Sequence, residues 1–103
     1  MNEFNYQQID DLIHSRIRLA VMATLATMGS ASFSIIKENV GATDGNLSVH
    51  MRKLEEADYL SVEKSFIDRK PISVYSLTDK GKSALTLYIQ YLENMLPLGT
   101  VKD

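Results

Sequence analysis

Apolar residues recur at helical spacing from Ile9 onward. Ile9, Ile13, Ile17, Ala20 and Thr24 fall at steps of three or four, which predicts a long helix over 9–28 with that face turned inward. Leu12, Leu19, Met22 and Leu25 fall on its other faces, so the helix is apolar nearly all round and calls for a partner surface. Gly29-Ser30-Ala31-Ser32 interrupts the pattern. Ser32 is placed to cap a short second helix that turns Phe33, Ile36 and Val40 inward and stops at Gly41.

A third helix follows within a few residues. Thr43 or Asp44 caps it, Asn46 stands three places after Thr43 in a loose capping box, and the helix runs to about Ala57. Leu47, Met51 and Leu54 form its buried stripe with His50 at the edge, while Gly45, Ser48, Val49 and Arg52 face outward, flanked by Asn46 and Lys53. Beyond Asp58 the period changes to two. Leu60 and Val62 alternate with Ser61 and Glu63, a polar turn spans Ile67 to Pro71, and alternation resumes from Ile72 to Leu77, which reads as a hairpin. Thr78 caps a last helix reaching about Leu96. Ala84, Leu85, Tyr88, Leu92, Met95 and Leu96 share one broad face, and Leu87 and Tyr91 lie off it, one turn apart.

A helix ended by glycine and followed two or three residues later by another is the helix-turn-helix arrangement. The predicted fold class is therefore α+β, mainly α with a small β-hairpin: a helix-turn-helix over about 32–57, a hairpin wing over about 60–77, and a C-terminal helix over about 78–96. One domain is expected over 1–103, with long terminal helices available for dimerisation. In this arrangement the first turns of the third helix meet base edges in a major groove roughly 12 Å wide. That assigns close backbone approach to Gly45 beside the capping Thr43, polar base contacts to Asn46 and Ser48, a thymine methyl to Val49, and guanine or a phosphate to Arg52. Lys37 and Lys53 would stand at the rim against phosphates, and Lys64, Arg69 and Lys70 would present the wing to the backbone.

Charge qualifies this picture. With 11 basic and 13 acidic side chains among 103 residues the formal charge is −2, so binding of polyanions has to come from local placement, and the wing is where basic residues concentrate. From residue type alone, Arg52, Lys53, Glu55 and Glu56 would be an ordinary solvated face; their position after the tight turn favours contact for Arg52, and the two glutamates are expected to stay outside it. With no cysteine there is neither a disulfide nor a thiolate metal site, which suits a reducing cytoplasm. No window approaches the roughly 18 apolar residues of a membrane span, and the start lacks the pattern of a signal peptide. His14 and His50 sit on different predicted helices without clustered carboxylates, so metal ligation is not expected, and His50 reads as a core-edge residue hydrogen-bonded to backbone. Nothing resembles a phosphate loop, a nucleophile elbow or a working carboxylate pair, so neither catalysis nor a cofactor is expected.

The stretch from Gly41 to Ala57, Asp68-Arg69-Lys70-Pro71 and Tyr75-Ser76-Leu77-Thr78-Asp79-Lys80-Gly81, together with Arg16-Ile17-Arg18-Leu19-Ala20, resembles the small winged-helix transcriptional regulators related to the MarR and ArsR groups. The resemblance covers about residues 10–96. It implies a homodimer that binds double-stranded DNA with its third helix in the major groove and its wing on the flanking backbone or minor groove, with the terminal helices forming the dimer. Leu12, Leu19, Met22, Leu87 and Tyr91 are the residues expected at that interface. Asp58 departs from the glycine that relatives usually place after the recognition helix, which implies local backbone strain. No inserted ligand domain specifies an effector. A winged helix serving as a protein-interaction or dimerisation module without DNA binding is the competing expectation.

Overall fold

A computed structural model of the chain describes residues 6–96. After a 3-10 turn at Tyr6–Gln8 come α1 (Arg16–Met28), β1 (Ala31–Ser32), α2 (Phe33–Val40), α3 (Asp44–Glu56), β2 (Leu60–Ile67), β3 (Lys70–Leu77) and α4 (Asp79–Met95). Three of the helix starts follow from one local device. Ser32, Thr43 and Thr78 each accept a backbone N–H three residues on, from Ile35 at 3.3 Å, Asn46 at 3.2 Å and Gly81 at 2.9 Å. Each side chain thereby satisfies a donor that the helix itself leaves without a partner. Gly41 closes α2 in the left-handed conformation, with φ of 77°.

The first helix is shorter than its apolar spacing predicts. It begins at Arg16 rather than Ile9, because Asp10 Oδ1 accepts the N–H groups of Leu12 (2.9 Å) and Ile13 (3.3 Å), and the His14 N–H closes on the Asp10 carbonyl (2.9 Å). The aspartate side chain holds this stretch in a turn of its own, and Ser15 then caps α1 by accepting the Arg18 N–H. With the helical phase restarted at Ser15, the buried stripe of α1 is Val21, Met22 and Leu25, joined by Ile13 from the turn. Met22 has no exposed surface, which withdraws it from the expected dimer interface. Leu12 and Leu19 are half-buried against the same core.

The sheet has the order β1-β3-β2, all antiparallel. β1 is an element that the sequence pattern presents only as a break. It is two residues long, with Ala31 opposite Tyr75 and Ser32 opposite Val74. In the hairpin, Leu60 faces Leu77 and Val62 faces Tyr75, and the register runs outward to Ile67 opposite Lys70. The connecting turn is narrower than expected, only Asp68 and Arg69, both at positive φ (52° and 67°) as a type I′ turn requires.

Between α3 and β2 the chain turns through a Schellman motif. The Asp58 N–H bonds the Glu55 carbonyl and the Tyr59 N–H bonds the Leu54 carbonyl, both at 2.9 Å, with Asp58 at φ 65°. The expected departure from glycine is thus a residue held in the left-handed region. The same turn anchors α4: the Thr78 hydroxyl donates to the Asp58 carbonyl at 2.6 Å and the Thr78 N–H to the Tyr59 carbonyl at 3.0 Å. Gly81 packs so closely that a Cβ there would overlap the Tyr59 carbonyl oxygen. On its other side Tyr59 donates its hydroxyl to Asp10 Oδ2, and burial followed by this bond and the carboxylate charge pushes its pKa up to about 12.

Candidate nucleic-acid interface

What orients α3 is burial. Leu47 and Leu54 are wholly enclosed and Met51 is 2% exposed, and burying such side chains contributes roughly 1.5–3 kcal/mol each. The ion pair across the preceding turn, Lys37 Nζ to Asp44 Oδ1 at 2.9 Å, joins side chains that are 43% and 74% exposed. Such a pair is worth about 1 kcal/mol at most. Apolar packing therefore sets the helix in place, and the pair only trims the turn. Lys37, expected at a phosphate rim, is engaged with Asp44 at the helix start.

A second tie comes from α1. Arg18 donates through Nη1 to His50 Nδ1 at 2.8 Å and through Nε to the Leu12 carbonyl. An arginine can only donate, so His50 Nδ1 is the unprotonated nitrogen. Burial, then the charges of Arg18 and Lys53, lower the His50 pKa below its ordinary value. The expected backbone partner for His50 is replaced by this side chain. His14 is likewise paired, its Nδ1 lying 2.8 Å from the Tyr88 hydroxyl.

The opposite face of α3 is open. Gly45, Asn46, Val49, Arg52 and Lys53 are exposed and Ser48 is half-buried, while the exposed Thr43 hydroxyl is occupied with its capping bond. Gly45, Val49 and Arg52 follow one another at steps of four and three, so they line the centre of that face, with Glu56 continuing it at the far end. Apart from its chain neighbours and the backbone of its own helical turn, nothing lies within 4 Å of the point where a Gly45 Cβ would stand. Its missing side chain therefore serves nothing inside the chain. On the wing Lys64, Arg69 and Lys70 are all exposed. Arg69 occupies the second left-handed position of the I′ turn, where glycine is the natural choice and an ordinary residue costs roughly 1–2 kcal/mol.

Two features are not foreseen from the sequence. Phe66 and Ile67, next to the tip, are 73% and 57% exposed, because the hairpin reaches past the body that covers Leu60 and Leu77. The Arg18–His50 link joins residues on separate helices, which no local spacing brings together. On α4, Leu87 is 49% exposed and Tyr91 half-buried; together they border a small cleft with Gln8, Asp10, Tyr59, Ala84 and Tyr88.

A third helix anchored by its buried stripe, a polar outward face and a basic hairpin beside it define a winged-helix DNA-binding protein of the transcriptional-regulator class. The chain belongs to the family of winged helix DNA-binding domains, whose model matches residues 17–96. It is 33% identical over 78 residues to an uncharacterized protein of Methanocaldococcus jannaschii, a match covering 76% of this chain and 85% of that one. It is also similar to a transcriptional regulator homologue from Pyrococcus horikoshii, at 28% identity with a TM-score of 0.82, over 89% of this chain and 93% of the other. Bordetella bronchiseptica BpsR, whose DNA binding is regulated by 6-hydroxynicotinic acid, shares the fold at 19% identity and a TM-score of 0.70, over 85% of this chain and 66% of that one. Among the described residues no helix is long and apolar enough to cross a membrane.

Proposed function

We propose that the protein is a sequence-specific regulator of transcription that binds double-stranded DNA as a homodimer in the cytoplasm. The observation that carries this reading is the division of α3 into a sealed inner stripe, Leu47, Met51 and Leu54, and an outer face where Gly45 is open and Asn46, Val49 and Arg52 are exposed. Asn46 and Arg52 have the donor geometry for adenine and guanine edges, Ser48 offers a further polar contact, and Val49 suits a thymine methyl. Lys53 and the wing residues Lys64, Arg69 and Lys70 supply phosphate contacts that a chain of charge −2 cannot provide over its whole surface. Leu87 and Tyr91, together with the half-buried Leu12 and Leu19, are the residues assigned to contact a second copy. A twofold pair of this kind would set its recognition helices roughly 34 Å apart, one DNA turn.

Selection of bound sites from a random duplex library, followed by titration of the recovered duplex at several salt concentrations, tests the reading. Recovery of a near-palindromic site whose binding weakens steeply with salt is the expected outcome. Enrichment of no sequence, with binding indifferent to salt, would return the fold to the role of a protein-interaction module.

A further inference from the structure

Phe66 is the most exposed of the large apolar side chains among the described residues. Single exposed apolar residues are ordinary on any surface, but the place of this one in the register gives it a direction. Residues directly opposite in an antiparallel pair share a face. Leu60 with Leu77 and Val62 with Tyr75 lie on the inner face of the hairpin, where Ala31 also pairs with Tyr75 and the Glu55 carboxylate of α3 helps raise the Tyr75 pKa. The same face continues past the body as Lys64 with Ser73 and then Phe66 with Pro71. Phe66 therefore projects on the recognition-helix side of the sheet. At about 3.3 Å per residue it stands roughly 20 Å out from Leu60, a span greater than the ~12 Å width of a major groove.

We propose that Phe66, backed by Pro71, enters the minor groove beside the recognition-helix site and wedges against a base step, bending the duplex. Resting on the DNA-binding reading above, this assigns the wing an apolar contact in addition to its charged ones. The surroundings favour DNA over other occupants. Lys64 shares the Phe66 face, Arg69 and Lys70 follow it at the tip, and alternation turns Glu63 to the opposite face, leaving Asp68 as the acidic residue of the turn. Among the described residues the outer edge of β2 is unpaired, and its exposed Glu63 and Lys64 are charges of the kind that discourage a second copy from adding a strand there. On the β3 side Pro71 has no N–H to offer on the stretch that β1 leaves open. Apolar side chains inserted from a basic frame are an established way to unstack a step and kink DNA through the minor groove.

The test uses the duplex recovered by selection, carrying a dye at each end and 2-aminopurine in the flank the wing would reach. Binding of the unaltered protein is expected to bring the ends together, by a bend within the roughly 20–90° range of minor-groove wedges, and to brighten the 2-aminopurine. Phe66→Ser is expected to abolish both signals and to weaken binding about tenfold, with the salt slope unchanged. Phe66→Leu should keep part of the bend, and Ile67→Ser, on the opposite face, should bend DNA as the unaltered chain does. Matching thermal melts establish that the variants fold. A straight complex with the unaltered protein, full bending by Phe66→Ser, or an altered sedimentation of Phe66→Ser in its place would overturn the wedge while leaving DNA binding intact. Failure of the unaltered protein to bind any duplex would overturn both.

Discussion

The Arg18 guanidinium donates to His50 Nδ1 at 2.8 Å, joining α1 to the inner edge of α3. This bond exists only while Nδ1 is unprotonated, and burial, Arg18 and Lys53 all hold the His50 pKa below 6.5. The unfolded chain, whose histidine titrates normally, binds the extra proton first as pH falls. Stability is therefore complete above pH 6.5 and declines as pH drops from there toward the lowered folded-state value. Thermal melts between about pH 8 and pH 5 should show a loss on acidification that His50→Gln, which can still accept from Arg18 but does not titrate, reduces.

Asp58 bears the conformational cost of a Schellman position that glycine fills freely, with φ of 65°. Asp58→Gly should stabilise the fold by about 0.5–1 kcal/mol, the relief of left-handed strain less the added freedom of the unfolded chain. The Tm would register this as a rise of a few degrees. DNA affinity should not change.

Arg69 presents the opposite balance, because its strain lies at the wing tip. Arg69→Gly converts the turn to the favoured Asp-Gly pair and should stabilise the hairpin by about 1 kcal/mol. At the same time it should weaken binding to all duplexes alike and reduce the salt slope by about 0.9 for each phosphate that the arginine neutralises. A gain in Tm with unchanged DNA affinity would mean that Arg69 does not touch the duplex.

Leu87 and Tyr91 lie one turn apart on α4. Sedimentation of the unaltered protein at micromolar concentration should give a dimer, and Leu87→Glu combined with Tyr91→Glu should give a monomer with a folded circular dichroism spectrum. A dimer indifferent to both charges would place the interface elsewhere.

The parts of the fold legible in the sequence are those governed by chemistry within a few residues. Ser32, Thr43 and Thr78 each cap a helix whose third residue on supplies the N–H, and Gly41 ends α2 where a left-handed φ is needed. The buried stripe of α3 follows from spacing because that helix is unbroken from Asp44 to Glu56. Spacing misleads at the N-terminal end, where the Asp10 side chain captures two N–H groups and resets the phase, so that Met22 points into the core instead of outward. β1 is too short to show alternation, and its pairing with β3 lies far along the chain. For the candidate interface, strand alternation could place Phe66 on a face, but only the reach of the hairpin beyond the body determines that this face is uncovered.

Fluorescence anisotropy on a selected duplex and on a random one, with the unaltered protein, Asn46→Ala, Arg52→Ala and the two combined, tests whether the outward face of α3 reads bases. Each substitution should cost roughly 1–3 kcal/mol on the selected site and much less on random DNA, because base contacts discriminate where phosphate contacts do not. Undiminished preference for the selected site in the double variant would contradict the placement of the outward face of α3 in the groove.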